Sequence, residues 1–141
     1  MAAPIIFISR NRIVKGKGDA VAEAYASVVG VIASTKPLTA LFAAYLDPTG
    51  TEVRVVHAFP DGDAMSFHFA GSEERSAGAA EVIVPAGFQV YGQAPPAAMD
   101  QLRREAGAAG VRLEVHSEAL GGFLRAPQPS AVSPRVDTVA E

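Results

Sequence analysis

With 141 residues, a net charge of -3 and no cysteine, the chain is long enough for one domain with a real core and too short for two comfortable ones. The lack of cysteine excludes disulfides, thiolate metal sites and cysteine nucleophiles, and the mildly acidic balance offers no basic field for phosphates, so no nucleic-acid partner is expected. Hydrophobic residues make up 49% of the chain, yet charges interrupt every long apolar run before the roughly 20 residues that span a bilayer. No basic region precedes the first apolar run, as a secretory signal would require, so a cytoplasmic protein without membrane contact is expected.

Ile5 to Val14 reads as a strand, with Ser9 and Asn11 on the face of Ile5, Phe7 and Ile13, and with Arg10 and Arg12 following Ile6 and Ile8 on the other. Lys15-Gly16-Lys17-Gly18 is a turn, and Asp19 stands where a cap belongs before Val21, Tyr25, Val28 and Ile32 recur at helical spacing. A helix from about Ala20 to Ala33 follows, stopped at Thr35-Lys36-Pro37 because proline has no amide donor and restricts the residue before it. Leu38 to Leu46 and Glu52 to Phe59 form an antiparallel pair around the tight turn Asp47-Pro48-Thr49-Gly50. In the second strand Val53, Val55, His57 and Phe59 share one face and Glu52, Arg54, Val56 and Ala58 the other. Both faces become apolar toward the strand's end, which predicts a sheet covered on one side by helices and on the other by a second layer such as a partner subunit.

Asp61 opens one interrupted helix to about Ala80, with Gly71 and Gly78 marking breaks or a bend. Val82 to Tyr91 is a fourth strand, in which Pro85 predicts an edge or a bulge. Pro95 to Ala109 is a helix started by proline and closed by Gly110, Val111 to Val115 is a fifth strand, and Phe123-Leu124-Arg125 is a candidate for one more pairing. Residues 126–141 hold three prolines and no aromatic anchor, so a disordered or partner-draped tail is expected after a single domain over 1–125. The order strand, helix, strand, strand, helix, strand describes a ferredoxin-like α+β sandwich, a split βαβ unit with an antiparallel sheet, plus an extra C-terminal helix and strand.

Within that frame the first strand and its glycine turn, the hairpin with Tyr45-Leu46-Asp47 and Gly50-Thr51-Glu52, and Phe59-Pro60-Asp61 with Ala64 and His68 resemble the antibiotic biosynthesis monooxygenase group of the dimeric α+β barrel superfamily. The likeness covers roughly Ile5 to Tyr91. Ala97 to Arg125 resembles an extension in uncharacterised members of that group. The resemblance implies a homodimer whose sheets pack face to face into a barrel, and a mostly apolar cavity for a small apolar or aromatic molecule. The group contains cofactor-independent oxygenases, haem-degrading enzymes and proteins without assigned reactions, so membership alone does not name an activity.

His57 lies on an apolar strand face, either as a hydrogen-bonded core histidine or as a proton acceptor in a cavity, since an ordinary pKa of about 6.5 suits general-base work. His68 matches the group's helix histidine, with a site-lining and a structural role both open. His116 shares a face with Arg112 and Glu114, more often a solvated or dimer-facing row. Tyr45 and Tyr91 end apolar strands, where a ring packs its body and wets its hydroxyl or else touches a ligand. Arg10, with Arg12 behind it, is a candidate cation for a carboxylate or phenolate, against the solvated or paired reading of strand-end charges. No histidine stands three or four residues from another ligand, so no metal is expected, and Gly16 and Gly18 lack the rest of a phosphate loop or dinucleotide fingerprint.

Two readings follow, with no cofactor in either. In the first, a cofactor-independent monooxygenase acts on an aromatic or polyketide-like compound, with His57 or His68 as base and Tyr45, Tyr91 or Arg10 positioning the anion formed. In the second, a non-catalytic dimer binds a small apolar ligand or serves as a structural partner. A third is haem binding and degradation with His68 as axial ligand, but the chain has no tryptophan, which the resemblance implies as a hallmark of the haem-degrading branch.

Overall fold

The computed structural model describes residues 3–125. Its five strands form one sheet in the order β2-β3-β1-β4-β5: β1 is Ile5–Ile13, β2 Leu41–Leu46, β3 Glu52–Phe59, β4 Ile83–Tyr91 and β5 Leu113–His116. The first four pair antiparallel in the ferredoxin-like arrangement, and β5 adds parallel to β4. Four helices, α1 (Gly18–Thr35), α2 (Gly62–Phe69), α3 (Ser72–Ala79) and α4 (Pro96–Ala109), complete the α+β fold.

Local chemistry accounts for most boundaries. Asp61 caps α2, its Oδ1 accepting from the Ala64 amide at 2.9 Å. Pro96 starts α4, and Gly110, at φ 68°, closes it in the left-handed conformation that glycine adopts without steric cost. Other expectations need correction. α1 begins before Asp19, which sits in the first turn rather than at the cap. β2 begins at Leu41, because 36–40 turn back first, the Thr39 amide bonding the Lys36 carbonyl at 3.0 Å. The interrupted helix is two helices, since Gly71 at φ 79° ends the run, whereas Gly78 lies inside α3. β5 starts at Leu113, and Phe123-Leu124-Arg125 joins no strand. The tail expected over 126–141 lies outside the described residues.

Pro85 produces the bulge. Arg10 pairs with Gly87 but Asn11 pairs with Pro85, so one residue of β4 is left over. The extra residue shifts the alternation, and Ile83, Pro85, Phe88 and Val90 all face the same side. β4 is an inner strand, yet β5 reaches only Phe88 to Tyr91, so Pro85 needs no ladder partner on its outer side.

The helices all cover one face of the sheet. Under α2 and α4, Phe7, Phe59, Met65, Val90 and Leu102 anchor the larger core. Full burial of a side chain such as Phe59, which is 0% exposed, contributes about 1.5–3 kcal/mol. Under α1 the core is small, with Val21, Val53 and Val55 buried. Val21 and Ile32 bury the ends of the α1 stripe, and the middle residues Tyr25 and Val28 line a cavity between the two cores. Among the described residues no helix is long and apolar enough to cross a membrane.

Candidate functional site

The cavity holds about 660 Å³ between the sheet and the helices. Its floor follows strand alternation: Phe7, Ser9 and Asn11 from β1, Phe42 from β2, Val55 and His57 from β3, and Phe88 from β4. α1 contributes Tyr25 and Val28 to the walls, α2 His68 and Phe69, α3 Arg75, and α4 Leu102.

The structure brings His57 and His68 together, with ring centroids 5.0 Å apart and planes at 88°. His57 is 6% exposed and His68 3%. His57 is packed by Phe7 and Phe42 at centroid distances of 4.8 and 5.0 Å. Its Nδ1 lies 3.0 Å from the Phe7 carbonyl oxygen. A carbonyl can only accept, so Nδ1 carries the proton and donates, leaving Nε2 as the lone-pair nitrogen. His68 Nδ1 shares a 2.8 Å hydrogen bond with the Thr39 hydroxyl, which suits either tautomer.

Burial drives both histidines toward the neutral form. The His57 pKa is pushed down to about 4, chiefly by desolvation and partly offset by the Phe7 bond. That of His68 is pushed down to about 3 by desolvation, then by His57 and by the positive charges of Arg75 and Lys36. Those two cations gather at the C-terminal end of α2, where unpaired carbonyls favour positive charge. Lys36 Nζ donates to the Phe67 and Ala70 carbonyls, and Arg75 Nη2 to that of His68, all at 2.8 Å. No carboxylate lies within 4.0 Å of the Arg75 guanidinium among the described residues. Arg75 was not a candidate from sequence, because its place on the wall depends on the break at Gly71.

The remaining sequence candidates lie on the opposite face of the sheet. Arg10 bonds Glu52 through Nε and Nη2 at 3.2 and 3.1 Å, and Arg54 joins the same carboxylate at 2.9 Å. Tyr45 stands opposite Arg54 and is 60% exposed. Tyr91 stacks on His116 with centroids 5.1 Å apart, beside a smaller cavity of about 290 Å³ lined also by Ile6, Gly92 and Phe123. Among the described residues no group of three His, Cys, Asp or Glu side chains is placed to hold a metal ion.

No protein-family profile matches the chain, and no curated protein matches it. Solved structures do. MupZ from Pseudomonas fluorescens superposes with a TM-score of 0.60 at 15% identity, over 93% of this chain and 99% of its own. SnoaB, a cofactor-independent oxygenase from Streptomyces nogalater, gives 0.56 at 14%, over 67% and 99%. A candidate antibiotic biosynthesis monooxygenase from Chloroflexus aurantiacus gives 0.51 at 13%, over 66% and 93%. The share left out of the MupZ match is smaller than α4, so that likeness takes in part of the C-terminal extension. The chain therefore shares its fold with antibiotic biosynthesis monooxygenase-like proteins.

Proposed function

We propose that the chain is a small-molecule enzyme that removes a proton from an aromatic or polyketide-like substrate inside the apolar cavity, as a cofactor-independent monooxygenase would. The observation that carries this reading is the pair of buried histidines meeting at 5.0 Å in the lining of a cavity of about 660 Å³. His57 Nε2 takes the proton of a phenol or an activated C–H. Its low basicity in the free protein rises once the substrate anion forms beside it, since an opposite charge favours the imidazolium. Arg75, without a carboxylate partner among the described residues, supplies the positive field for that anion. The carbanion then gives an electron pair to molecular oxygen, the resulting peroxide recovers the proton from His57, and loss of water leaves a carbonyl. Apolar walls keep bulk water from quenching the anion.

Oxygen uptake with a panel of hydroxylated aromatics tests this, with turnover expected in the native protein and a loss of about 100-fold or more in His57→Ala. Binding without turnover throughout the panel would overturn it in favour of a non-catalytic ligand-binding protein. The packing of His57 by Phe7 and Phe42, with its Nδ1 satisfied, is the observation that favours that second reading.

In both readings a second copy of the chain covers the open face of the sheet. Support comes from Leu41, Tyr45 and Val84, exposed at 42, 60 and 37% on that face. Tyr45, Tyr91 and Arg10 would then meet a ligand only at the seam between copies. Sedimentation should give a dimer that Ile8→Glu dissociates, and a native chain that sediments as a monomer would end the pairing.

A further inference from the structure

The helix-covered face of β1 reads Ile5, Phe7, Ser9, Asn11, Ile13, with two polar side chains in the middle of an apolar row. Asn11 is not at a frayed end. It pairs with Val53 on one side and Pro85 on the other, and it is only 5% exposed. Its Nδ2 donates to Ser9 Oγ at 3.2 Å, and its Oδ1 has no hydrogen-bond partner among the described residues. The β4 bulge opposite does not use the carboxamide either, since no backbone group bonds it among those residues. A buried amide can make several hydrogen bonds, and leaving them unmade costs free energy that leucine in the same volume would avoid.

Asn11 and Ser9 open onto the cavity that holds the histidines. His57 sits opposite Phe7 in the β1–β3 register, and each two-residue step along a strand advances about 7 Å. Ser9 is therefore one such step from the histidine end and Asn11 two, about 14 Å along the floor. Between the two ends the floor is apolar except for Ser9, which is flanked by Val55 of β3 and Phe88 of β4. Tyr25 of α1 also lines the cavity, packed against the Val21, Val53 and Val55 cluster, and its hydroxyl is unpaired among the described residues. Burial raises the Tyr25 pKa, which keeps that hydroxyl protonated and able to donate.

We propose that Asn11, bonded to Ser9, forms a second polar subsite at the far end of the cavity from the histidines, and that the ligand is an elongated molecule with an oxygen function at each end. The inference rests on the reading that the cavity binds a small molecule, and it deepens that reading by fixing the ligand's length and its two poles. One oxygen lies at the His57 end, where proton removal occurs. The other exchanges hydrogen bonds with the Asn11 carboxamide, which can both donate and accept.

The test uses two shape-matched anthracenes, followed by their own fluorescence. One carries hydroxyls on both terminal rings, and the other has a methyl group in place of one hydroxyl. The native protein should bind the dihydroxy compound about fivefold more tightly, the worth of one neutral hydrogen bond. In Asn11→Leu that advantage should vanish while affinity for the hydroxy-methyl compound holds within about twofold. The comparison on the native protein stands even if the variant does not fold. Equal affinities in the native protein, or an advantage that survives Asn11→Leu, would overturn the subsite and leave the His57 chemistry standing. Failure of the native protein to bind either compound would overturn the ligand cavity itself, and the subsite with it.

Discussion

On the open face of the sheet, Arg10, Glu52 and Arg54 satisfy one another, and Tyr91 stacks on the exposed His116. On the helix-covered face, His57, His68, Arg75 and Asn11 stand among aromatic and aliphatic side chains with part of their polar capacity unused. The contrast lies in what each face can do with a polar group. An exposed ion network gains little and commits little, because water competes for every partner. A buried polar group without a full set of partners is costly, and it becomes useful when a substrate completes the set.

The largest expected break in this contrast is mechanical. Phe59→Ala should cost about 3–5 kcal/mol in urea denaturation, whereas Tyr45→Ala on the exposed face should stay within about 0.5 kcal/mol in the monomer. Equal losses would mean that the two faces share the core's work.

Next comes pH. The unfolded histidines take up protons near pH 6.5, but the folded ones do so only near 4 and 3. Between these values the unfolded state binds more protons, so stability falls as the solution is acidified. A loss of about 2 kcal/mol is expected between pH 7 and 5.5, measured by urea denaturation at each pH. Glu52 shifts in the same direction but in a lower range, its pKa held below the usual 4.5, first by its bonds to Arg10 and Arg54. Its contribution is present above pH 4.5 and fades only below, so a decline confined to that range would assign the acid sensitivity to the open face.

A finer comparison sets Arg75 against Arg10. Removing the Arg75 charge in Arg75→Leu should raise the pKa of both His57 and His68, read from the imidazole proton shifts in NMR titration. Arg10→Leu should leave both histidines in place and let the Glu52 pKa rise. The smallest effect is expected for Glu52→Gln, at about 1 kcal/mol or less and shrinking with added salt.

How much of this was legible in the sequence depends on the kind of signal. Alternation put His57 with Val53, Val55 and Phe59, and the Asp61 cap set the phase of the helix that carries His68, so the faces on which both histidines lie were legible. Tyr45 and Tyr91 drew attention by residue type, but both faces of their strands are apolar, and period two alone does not say which one the helices cover. For Arg10 the alternation with Ile6 and Ile8 already set it apart from Phe7. Arg75 was overlooked because a one-residue break at Gly71 redirects everything after it. Asn11 was placed on the correct face yet given no role, since its depth depends on β3 and β4 flanking it.

The sequence by itself determined the ferredoxin-like order of elements, the two-residue and helical periodicities, and the face on which each β1 and β3 side chain lies. Those are local properties, set by backbone geometry, caps and turn residues within a few positions of one another. Only the tertiary structure decided that His57 and His68 touch, that Arg75 has no carboxylate partner beside them among the described residues, and that the middle of α1 lines a cavity at the edge of the smaller core. Such facts depend on distances between residues far apart in the chain, and burial, which sets their protonation and their unmet hydrogen bonds, exists only once the sheet and helices have closed on each other.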